Sequence, residues 1–418
     1  MGNFEVKNLE LAGQGKKNIE LAEGSMEALM EVGRKMAKSK PFKGLRVGMA
    51  LHVTKETAVL VRVLRMGGAE VWITGCNPLS TQDDVAAALA KEGVHVYAYK
   101  GETRKDYYSY LKKVIEARPH LTIDDGCDLV TEIHNKYPRL LKDLIGGCEE
   151  TTTGIIRLRA MEKDGALKYP VIAVNDNKTK HLMDNYYGTG QSTIDGIMRA
   201  INFMFAGKVC VVAGYGDCGK GVAKRMQGMG ANVIVTEVDH FKALQAKMDG
   251  YRVMKMADAA KIGDLFLTVT GDISVVRYEH VKFMKDGAVL ANSGHFDCEV
   301  DVADLRKKAK KVRQVREFSE EFVFANGRKI YLLGEGRLVN LSAAEGHPSD
   351  VMSLSFCGQA LACEYLVKNK GRLGAGVHLL PERIDDYIAK LQLRVMGVKI
   401  DKLTPEQKKY LASWEEGT

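Results

Sequence analysis

The sequence predicts an α/β protein in which one parallel-sheet domain is inserted into the chain of another. Three observations predict this. Short apolar, β-branched runs alternate with helix-length segments from residue 45 onward, a second alternating block spans 209–333, and helical segments without features of that block follow Pro348. Strand–helix alternation of this kind builds parallel sheets. We therefore expect two sheets with a cleft between them, and a short C-terminal segment.

Length and composition narrow the class of protein. The chain has 418 residues, 45% of them hydrophobic and only 8 of them proline, which is typical of an ordered protein with about two or three domains. No apolar run has the length of a membrane span, and the polar start, MGNFEV, has neither a signal-peptide core nor a myristoylation pattern. The 8 cysteines form no C-x-x-C pair, which predicts reduced thiols and a cytoplasmic protein.

The net charge of +8 raises the question of nucleic acid. Its densest piece is RKKAKKVRQVR, residues 306–316, which has no interleaved aromatic residues and follows an acidic segment. A solvated helix face is favoured over a nucleic-acid contact for this segment. We therefore expect neither a nucleic-acid nor a membrane partner. The positive charge would also suit attraction of an anionic cofactor.

The first block places its polar residues where predicted strands end. Residues 1–40 are predicted to be amphipathic helix, strands are predicted at 46–51, 70–74, 94–98 and 121–123, and helices at 57–66, 81–92 and 107–118. The polar residues that follow these strands are His52, Thr54, residues 77–82, Asp124, Asp125 and residues 149–153. Ligands of open parallel sheets bind at the carboxyl ends of the strands, so we expect a site there.

The second block opens with a phosphate-binding fingerprint. A strand predicted at 209–213 leads into Gly214, Gly216 and Gly219, a helix follows, and the strand predicted at 233–238 carries Glu237 near its end. The glycines permit a tight turn, a close approach of backbone to a pyrophosphate and helix packing on the strand, while the helix amino end attracts the phosphates. An acid at Glu237 can accept both ribose hydroxyls and repel a 2′-phosphate. The block is therefore predicted to be a Rossmann-type domain that binds NAD rather than NADP.

Several polar residues of the first block are candidates for catalysis, each with a plainer alternative. His52 could be a structural histidine. The Asp124–Asp125 pair ends an apolar strand, and buried carboxylates are costly unless partnered. The segment EETTT, residues 149–153, could cap a helix, but three consecutive hydroxyls exceed what capping needs.

Further candidates lie where the two domains are expected to meet. Lys180 and Asp184 share a helix face and form either a surface ion pair or a lysine held beside a carboxylate at the cofactor. His295 and His347 both fall at the domain junction. No two histidines have helical metal-ligand spacing and the sequence shows no Cys/His cluster, so we predict no metal.

Nearly the whole chain resembles the S-adenosylhomocysteine hydrolase family. The resemblance rests on LHVTKETAVL, CNPLSTQDDVAAAL, DDGCDL, EETTTGIIRL, VNDNKTKHLMDN, GYGDCGKG, ANSGHFD and GEGRLVNLSAAEGHPSDVMSLSF. It implies a substrate domain at 1–184 and 347–384, an NAD domain at 185–346 and an oligomerisation segment at 385–418, usually in a homotetramer. It also implies a place in the methyl cycle of one-carbon metabolism.

The resemblance also implies a reaction. In this family tightly bound NAD+ takes hydride from the ribose 3′-carbon, which acidifies the C4′ proton. Homocysteine then leaves by β-elimination, water adds, and the hydride returns, so that a nucleoside thioether is hydrolysed without net redox change.

The resemblance assigns roles residue by residue. Lys180 would assist 3′-hydroxyl deprotonation, with its pKa lowered by a neighbouring cationic cofactor, and Asp125 would act near C4′ and C5′. The implied catalytic residues are His52, Asp125, Glu150, Lys180, Asp184, Asn185 and His295. The implied substrate contacts are Thr54, Glu56, Thr57, His347, Met352 and Phe356. The implied cofactor contacts are Thr151, Thr152, Thr153, Gly214, Gly216, Asp217, Gly219, Glu237, Asn340 and His347.

The chain departs from many relatives at two places. It has Thr189 where many have cysteine, and it ends in SWEEGT where many have a Lys/Tyr-containing tail that reaches a neighbouring subunit's NAD. This pattern resembles archaeal and thermophilic bacterial relatives, some of which prefer S-inosylhomocysteine.

The purine preference can be argued at Glu56. An ionised carboxylate only accepts, which suits the adenine amino group, whereas relatives associated with inosine tend to carry lysine there. Lys55 is expected on the other face if the segment is extended. Adenosine is therefore favoured, with inosine as the alternative. An ordinary NAD-dependent dehydrogenase would leave EETTT and the K-x-x-x-D-N pattern at residues 180–185 unexplained. A non-catalytic NAD-binding regulator would be expected to have lost the catalytic residues, which are all present.

Overall fold

The computed structural model of the chain describes residues 3–415. The first two residues of MGNFEV and the last three of SWEEGT lie outside the described residues.

The first of two sheets is parallel throughout, and it contains every strand of the described chain up to residue 173. Its strands are β1 (Phe4–Glu5), β2 (Arg46–Ala50), β3 (Glu70–Thr74), β4 (His95–Tyr97), β5 (Leu121–Asp124), β6 (Gly146–Glu149) and β7 (Pro170–Ala173). They lie in the order β1-β4-β3-β2-β5-β6-β7, with one later strand beyond β7. The carboxyl ends of β2, β3, β5, β6 and β7 therefore meet at one edge.

Along the chain, the strands of the second sheet all come after β7 and before the last strand of the first sheet. Its strands are β8 (Val209–Ala213), β9 (Asn232–Thr236), β10 (Arg252–Val253), β11 (Leu265–Thr268), β12 (Ala288–Asn292), β13 (Lys311–Arg316), β14 (Ser319–Val323) and β15 (Lys329–Leu333). Their order is β10-β9-β8-β11-β12-β15-β14-β13, and only the pairs made by β14 are antiparallel. β16 (Gly376–His378) then pairs with β7. The predicted insertion of one α/β unit into another is confirmed.

Helices cover the sheets. The α-helices are Ala12–Ser25, Glu27–Ser39, Lys55–Met66, Asp83–Lys91, Arg104–Glu116, Asp128–Lys136, Thr152–Lys163, Lys178–Lys180, Thr189–Ile201, Asp217–Gly228, His240–Met248, Met256–Ala259, Tyr278–Val281, Val302–Lys308, Val339–Ser342, Ser349–Lys368, Glu382–Val395 and Pro405–Leu411. A π-helix, His181–Gly188, joins two of them, and 3₁₀ turns span Leu9–Leu11, Pro138–Asp143, Val174–Asp176 and Gly334–Gly336. The predicted boundaries after residues 184 and 384 fall inside helices, and the domain limits stay predictions.

The long helix Ser349–Lys368 explains how the chain returns to the first sheet. Its residues Phe356, Cys357 and Ala360 are buried in the same core as the helix Lys55–Met66. Burying a side chain of leucine or phenylalanine size is worth about 1.5–3 kcal/mol, so this packing fixes the helix beside β6. The chain that follows the second sheet is thereby held against the edge of the first.

The sequence predicts one helix face for the basic segment 306–316, and this prediction is wrong. The helix Val302–Lys308 ends within it, and β13 then pairs with β14 as an exposed edge strand. Pairing with β14 satisfies backbone groups that a surface helix would satisfy internally, and Val312 packs against the buried core. Sequence analysis also missed β1, β6, β10, β14 and β16. Most of these strands have few residues or carry glycine and charge, which gives no buried-strand pattern.

Among the described residues, no helix combines the length and apolar character needed to cross a membrane.

Candidate active site

One large cavity lies between the carboxyl edges of the two sheets. Its volume is about 1180 Å³, and its walls include residues from both sheets, from the π-helix and from the junction at residues 338–347. Pockets for one small organic ligand are roughly 300–1,000 Å³. The cavity therefore has room for two molecules side by side.

Asp125, just past β5, lies at the centre of the first cluster in this cavity. Its Oδ2 is 3.3 Å from Nε2 of His52, and its Oδ1 is 3.5 Å from Nδ1 of His295. The thiol of Cys76, just past β3, lies 3.6 Å from the same Oδ2. His295 follows β12 of the second sheet, so this cluster joins the two sheet edges.

The hydrogen bonds of His52 define its tautomer. Ser80 Oγ donates its proton to the carbonyl of Asn77 at 3.0 Å, so it accepts at 2.7 Å from Nδ1–H of His52. Burial lowers the pKa of His52 to about 4, although Asp125 opposes this shift. Near neutral pH, Nε2 therefore carries a lone pair that faces a carboxylate. Two acceptors 3.3 Å apart form a place for a proton or a donor group of a ligand.

Lys180 is the centre of the second cluster and is only 5% exposed. Its Nζ donates to Oδ1 of Asn185 at 2.7 Å and of Asn175 at 3.3 Å, and lies 3.2 Å from Asp184 and 3.7 Å from Glu150. The predicted shared face of Lys180 and Asp184 is confirmed, but the pair is buried rather than at the surface. The π-helix His181–Gly188 carries both Asp184 and Asn185, and such helices are frequent at functional sites.

The protein's own groups raise the pKa of Lys180. Burial alone would lower it, but the carboxylates of Asp184 and Glu150 outweigh that effect. The lowered pKa expected from the sequence would therefore have to come from a bound cation. Burial raises the pKa of Glu150 to about 7, against the effect of Lys180. Ser355 and Gln359 of the long helix each donate a hydrogen bond to one oxygen of Glu150.

The segment EETTT acts as both a structural and a lining element. Glu149 is buried, and its Oε1 accepts from the backbone N–H groups of Gly126 at 2.8 Å and Thr151 at 3.1 Å. Thr151 precedes the helix Thr152–Lys163 without making a side-chain cap bond. The side chains of Thr151, Thr152 and Thr153 instead line the cavity.

His347 lies at the junction of the two units, as its position in the sequence predicts. Ser192 Oγ donates to the carbonyl of Gly188 at 2.8 Å and accepts from Nδ1–H of His347 at 2.9 Å. Nε2 of His347 then faces Thr189 Oγ1 at 3.3 Å and Asp184 Oδ1 at 3.6 Å. Thr189 thus occupies a position in contact with the catalytic candidates.

The glycine turn after β8 forms a cradle that fits a dinucleotide. Gly214 has φ +103°, and a Cβ on Gly219 would lie 2.1 Å from the carbonyl oxygen of Gly214. A Cβ on Gly216 would meet nothing within 4 Å, so there is open space for a ligand above it, directly before the helix Asp217–Gly228. Glu237 accepts from the backbone N–H of Tyr215 at 2.7 Å and lines the cavity.

A further polar atom supports this fit. The Oδ1 of Asn340 is buried without a hydrogen-bond partner among the described residues, whereas its Nδ2 donates to Ser192 Oγ at 3.2 Å. Buried acceptors left alone are costly, so this atom is placed for a ligand donor. Of the predicted NAD contacts, Gly219 does not line the cavity, whereas the others do: Thr151, Thr152, Thr153, Gly214, Gly216, Asp217, Glu237, Asn340 and His347.

The predicted substrate contacts also line the cavity: Thr54, Glu56, Thr57, His347, Met352 and Phe356. The extended conformation on which the expectation for Lys55 depended is not present. Residues 55–66 are helical rather than extended, and Nζ of Lys55 lies 3.3 Å from Oε1 of Glu56. Neighbouring residues on a helix differ by about 100° in direction, which lets a long lysine side chain reach back to its neighbour.

Sequence analysis missed several residues of the site, including Cys76 and Asn175. It also found no Cys/His cluster, whereas the ligand atoms of His52, Cys76 and Asp125 lie within 4.8 Å of one another. These residues follow three different strands, so no spacing along the chain could reveal the group. One signal was available, because Cys76 and Asn175 each come two residues after a strand that ends at the same sheet edge.

Comparisons with known proteins agree with this geometry. Residues 185–346 match the family model described as S-adenosyl-L-homocysteine hydrolase, NAD binding domain, and residues 3–136 match that of S-adenosyl-L-homocysteine hydrolase. An adenosylhomocysteinase of Saccharolobus solfataricus is 55% identical, covering 100% of each chain. An adenosylhomocysteinase of Aquifex aeolicus is 57% identical, covering 99% of this chain and 100% of that one. An S-inosyl-L-homocysteine hydrolase of Methanocaldococcus jannaschii is 56% identical with the same coverage.

These matches extend over the full chain, and they confirm the resemblance and the predicted NAD-binding unit. With a nucleotide cradle at the second sheet and, in the same cavity, buried acids, a lysine and histidines contributed by both sheets, the chain belongs to the S-adenosyl-L-homocysteine hydrolase family.

Proposed function

We propose that this protein is an NAD-dependent enzyme that reversibly hydrolyses S-adenosyl-L-homocysteine to adenosine and L-homocysteine. The observation that carries the proposal is the placement of two proton-handling clusters in one cavity with a nucleotide cradle. Lys180 with Asp184 and Glu150 forms one cluster, and Asp125 with two histidines forms the other. Family membership supports the same reaction.

Lys180 moves the proton of the ribose 3′-hydroxyl in this proposal. Its ammonium is fixed by Asn185 and Asp184, which leaves little freedom for it to swing away from a bound sugar. Bound NAD would supply a reversible hydride acceptor at the 3′-carbon. Glu150 is set to accept a ribose hydroxyl, because its two oxygens are anchored from the opposite side by Ser355 and Gln359.

Asp125, His52 and His295 serve the second half of the chemistry. An acceptor pair at Asp125 and Nε2 of His52 suits removal of a proton near C4′ and its delivery to the leaving sulfur. His295 lies near the other oxygen of Asp125, so His52, Asp125 and His295 would all lie close to C5′ of the substrate. Water addition then needs the same groups in the reverse direction.

S-inosyl-L-homocysteine is the second candidate substrate. Relatives with that name are 56% and 54% identical to the chain, close to the values for adenosylhomocysteinases. The ammonium of Lys55 also lies beside Glu56, so a donor for a purine carbonyl is near the cavity. Adenosine remains the better fit, because the Glu56 carboxylate itself lines the cavity.

The assembly and location belong to the same proposal. We expect a homotetramer in the cytoplasm that acts in the methyl cycle. The C-terminal segment exposes large apolar side chains, with Met396 64%, Ile400 70%, Leu411 69% and Trp414 90% exposed. Exposed apolar patches of this kind favour a subunit contact.

The test uses purified enzyme with its bound NAD and each of the two thioethers. We expect homocysteine to be released from S-adenosyl-L-homocysteine without net accumulation of reduced nicotinamide. Asp125→Asn should abolish release while NAD stays bound. Stoichiometric production of NADH would instead identify an ordinary dehydrogenase, and NAD binding without turnover of either thioether would identify a regulator.

A further inference from the structure

The carboxylate of Glu56 is anchored through one oxygen only. It is 2% exposed, and its Oε1 accepts from Ser349 Oγ at 2.7 Å and lies 3.3 Å from Nζ of Lys55. Its Oε2 makes no hydrogen bond within residues 3–415, and the side chain lines the cavity. One oxygen therefore holds the carboxylate in place, and the other is free for a ligand.

The surroundings of Glu56 suit a planar heterocycle. Ser349, Met352 and Phe356 occupy positions i, i+3 and i+7 of one helix, so they form a single stripe on its surface. Because Ser349 contacts Glu56, this stripe places the apolar side chains of Met352 and Phe356 next to the carboxylate. Both line the cavity. An apolar slot with one acceptor fits a purine that presents a donor.

Lys55 is held by a second carboxylate that comes from the junction between the two units. Its Nζ lies 2.8 Å from Oε2 of Glu345. Gln82 reinforces the connection, because its Oε1 accepts from the backbone N–H of Lys55 at 3.0 Å and its Nε2 donates to the carbonyl of Glu345 at 3.4 Å. The long arm of Lys55 therefore ends in an ion pair with Glu345, whose side chain is 59% exposed.

Charge keeps this ammonium protonated. Burial would lower the pKa of Lys55, but Glu56 and Glu345 together raise it. A protonated lysine only donates and an ionised carboxylate only accepts. Adenine presents an amino donor at position 6 and hypoxanthine presents a carbonyl acceptor there. The group that meets this position decides between the two bases, and its identity depends on where the ammonium of Lys55 is held.

We propose that Glu345 determines the purine preference of this enzyme by holding the ammonium of Lys55 beside Oε1 of Glu56, so that Oε2 of Glu56 alone reads the base. The inference rests on the proposed function, since it concerns the choice between two thioethers at the same site. Glu345 acts through Lys55 and is a positioning residue. Freed from Glu345, the lysine ammonium is available to donate to a purine carbonyl.

The test compares kcat/KM for S-adenosyl- and S-inosyl-L-homocysteine in the enzyme with bound NAD. The wild type should prefer the adenosyl substrate. Glu345→Gln should lower the adenosyl-to-inosyl ratio of kcat/KM by about tenfold, because a carboxamide no longer anchors the Lys55 ammonium. The freed ammonium would then face the adenine amino group, and two donors that face each other discriminate strongly against that base. Lys55→Met should raise the ratio instead, since no donor is left for the carbonyl.

Arg199→Gln is the matched control. Arg199 lies 3.6 Å from the other oxygen of Glu345 and contacts neither Lys55 nor Glu56 in the hydrogen bonds and ion pairs of residues 3–415. Its ratio should stay within about twofold of the wild type. An unchanged ratio in Glu345→Gln or an equal shift in Arg199→Gln would overturn the inference alone. A wild-type preference for the inosyl substrate would overturn the inference and would also replace the adenosyl substrate of the proposed function by the inosyl one. A wild type that hydrolyses neither thioether would overturn the proposed function as well.

Discussion

The two sheet edges that face the cavity carry out different tasks with different parts of the chain. At the edge of the first sheet, the working groups are buried side chains whose pKa values are displaced, including His52, Glu150 and Lys180. At the edge of the second sheet, the turn after β8 relies on glycine backbone, with Gly214, Gly216 and Gly219 shaping the space. Titrating side chains dominate the first edge, whereas glycine backbone shapes the turn after β8 at the second.

The difference has a physical cause. A dinucleotide is bound through phosphates and sugar, which backbone N–H groups and a helix amino end can hold without titrating. Proton transfer needs groups whose pKa values differ from those in water, and burial beside other charges provides that displacement. Substitutions at the first edge should therefore lower the reaction rate, and substitutions at the second should lower stability or NAD affinity.

The largest effect is expected at the first edge, for Lys180→Met. Loss of a general acid–base group costs roughly 10²–10⁴-fold in rate. Asp184 and Glu150 would also lose their buried cation, and breaking a buried pair costs about 3–5 kcal/mol. Homocysteine release and the free energy of unfolding would measure the two effects.

Lys178→Met is the control for this substitution. Lys178 pairs with Glu382 at 2.8 Å, but its side chain is 70% exposed, and surface pairs contribute about 0–1 kcal/mol. It should behave as the wild type. Full activity in Lys180→Met would remove the first edge from the proposed chemistry.

A second prediction separates two glycines of the second edge. Gly219→Ala puts a methyl group 2.1 Å from the Gly214 carbonyl oxygen, so the turn must shift, and we expect a loss of about 3 kcal/mol in unfolding free energy. Gly216→Ala has open space and φ −74°, so stability should be retained. NAD affinity should nevertheless fall by at least about tenfold, because the methyl group occupies the approach of the pyrophosphate.

Thermal unfolding without added cofactor and titration with NAD would measure the two properties separately. Equal losses of stability in both variants would contradict the distinction between turn geometry and ligand space. Normal NAD affinity in Gly216→Ala would contradict the cradle itself.

The smallest expected effect concerns pH. The pKa of His52 is lowered from 6.5 to about 4 in the folded protein, so the unfolded chain binds more protons between these values. The contribution of His52 to stability is therefore present above pH 6.5 and is lost as pH falls toward 4. His52→Asn should flatten this part of the stability profile by about 3 kcal/mol over the whole window.

Urea unfolding at several pH values within that window would measure the slope. His240→Asn, at an exposed helix start, is the matched control and should keep the wild-type profile. An unchanged slope in His52→Asn would show that burial of His52 does not set the acid sensitivity of the first edge.

Much of the fold could be predicted because strand–helix alternation is a local pattern. The strands β2, β3 and β8 lie within a residue of their predicted positions, since each is mostly apolar and of ordinary length. β6, which reads GGCE, was missed because it consists of glycine, cysteine and an acid. It is a strand because β5 and β7 supply partners on both sides. Such pairing between distant segments leaves no trace in a short window of sequence.

The candidate site divides in the same way. His52, Asp125 and Lys180 could be proposed because strand ends and helix spacing are readable along the chain. Cys76 next to Asp125, Asn175 next to Lys180 and the pair of Lys55 with Glu345 were not readable. These contacts join residues brought together only by the sheet order and by the return of the chain after β15.

The α/β class, the inserted nucleotide unit, the glycine turn and the family could all be predicted from the amino-acid sequence, because each depends on a local pattern or on long matched motifs. Only the tertiary structure decided which acids are buried, which tautomer His52 adopts, that Lys180 is enclosed by carboxylates and that Lys55 is anchored at the domain junction. These properties depend on burial and on charges that are distant in sequence. Since the free energy of a charge is set by its surroundings rather than by its neighbours along the chain, the fold had to supply them.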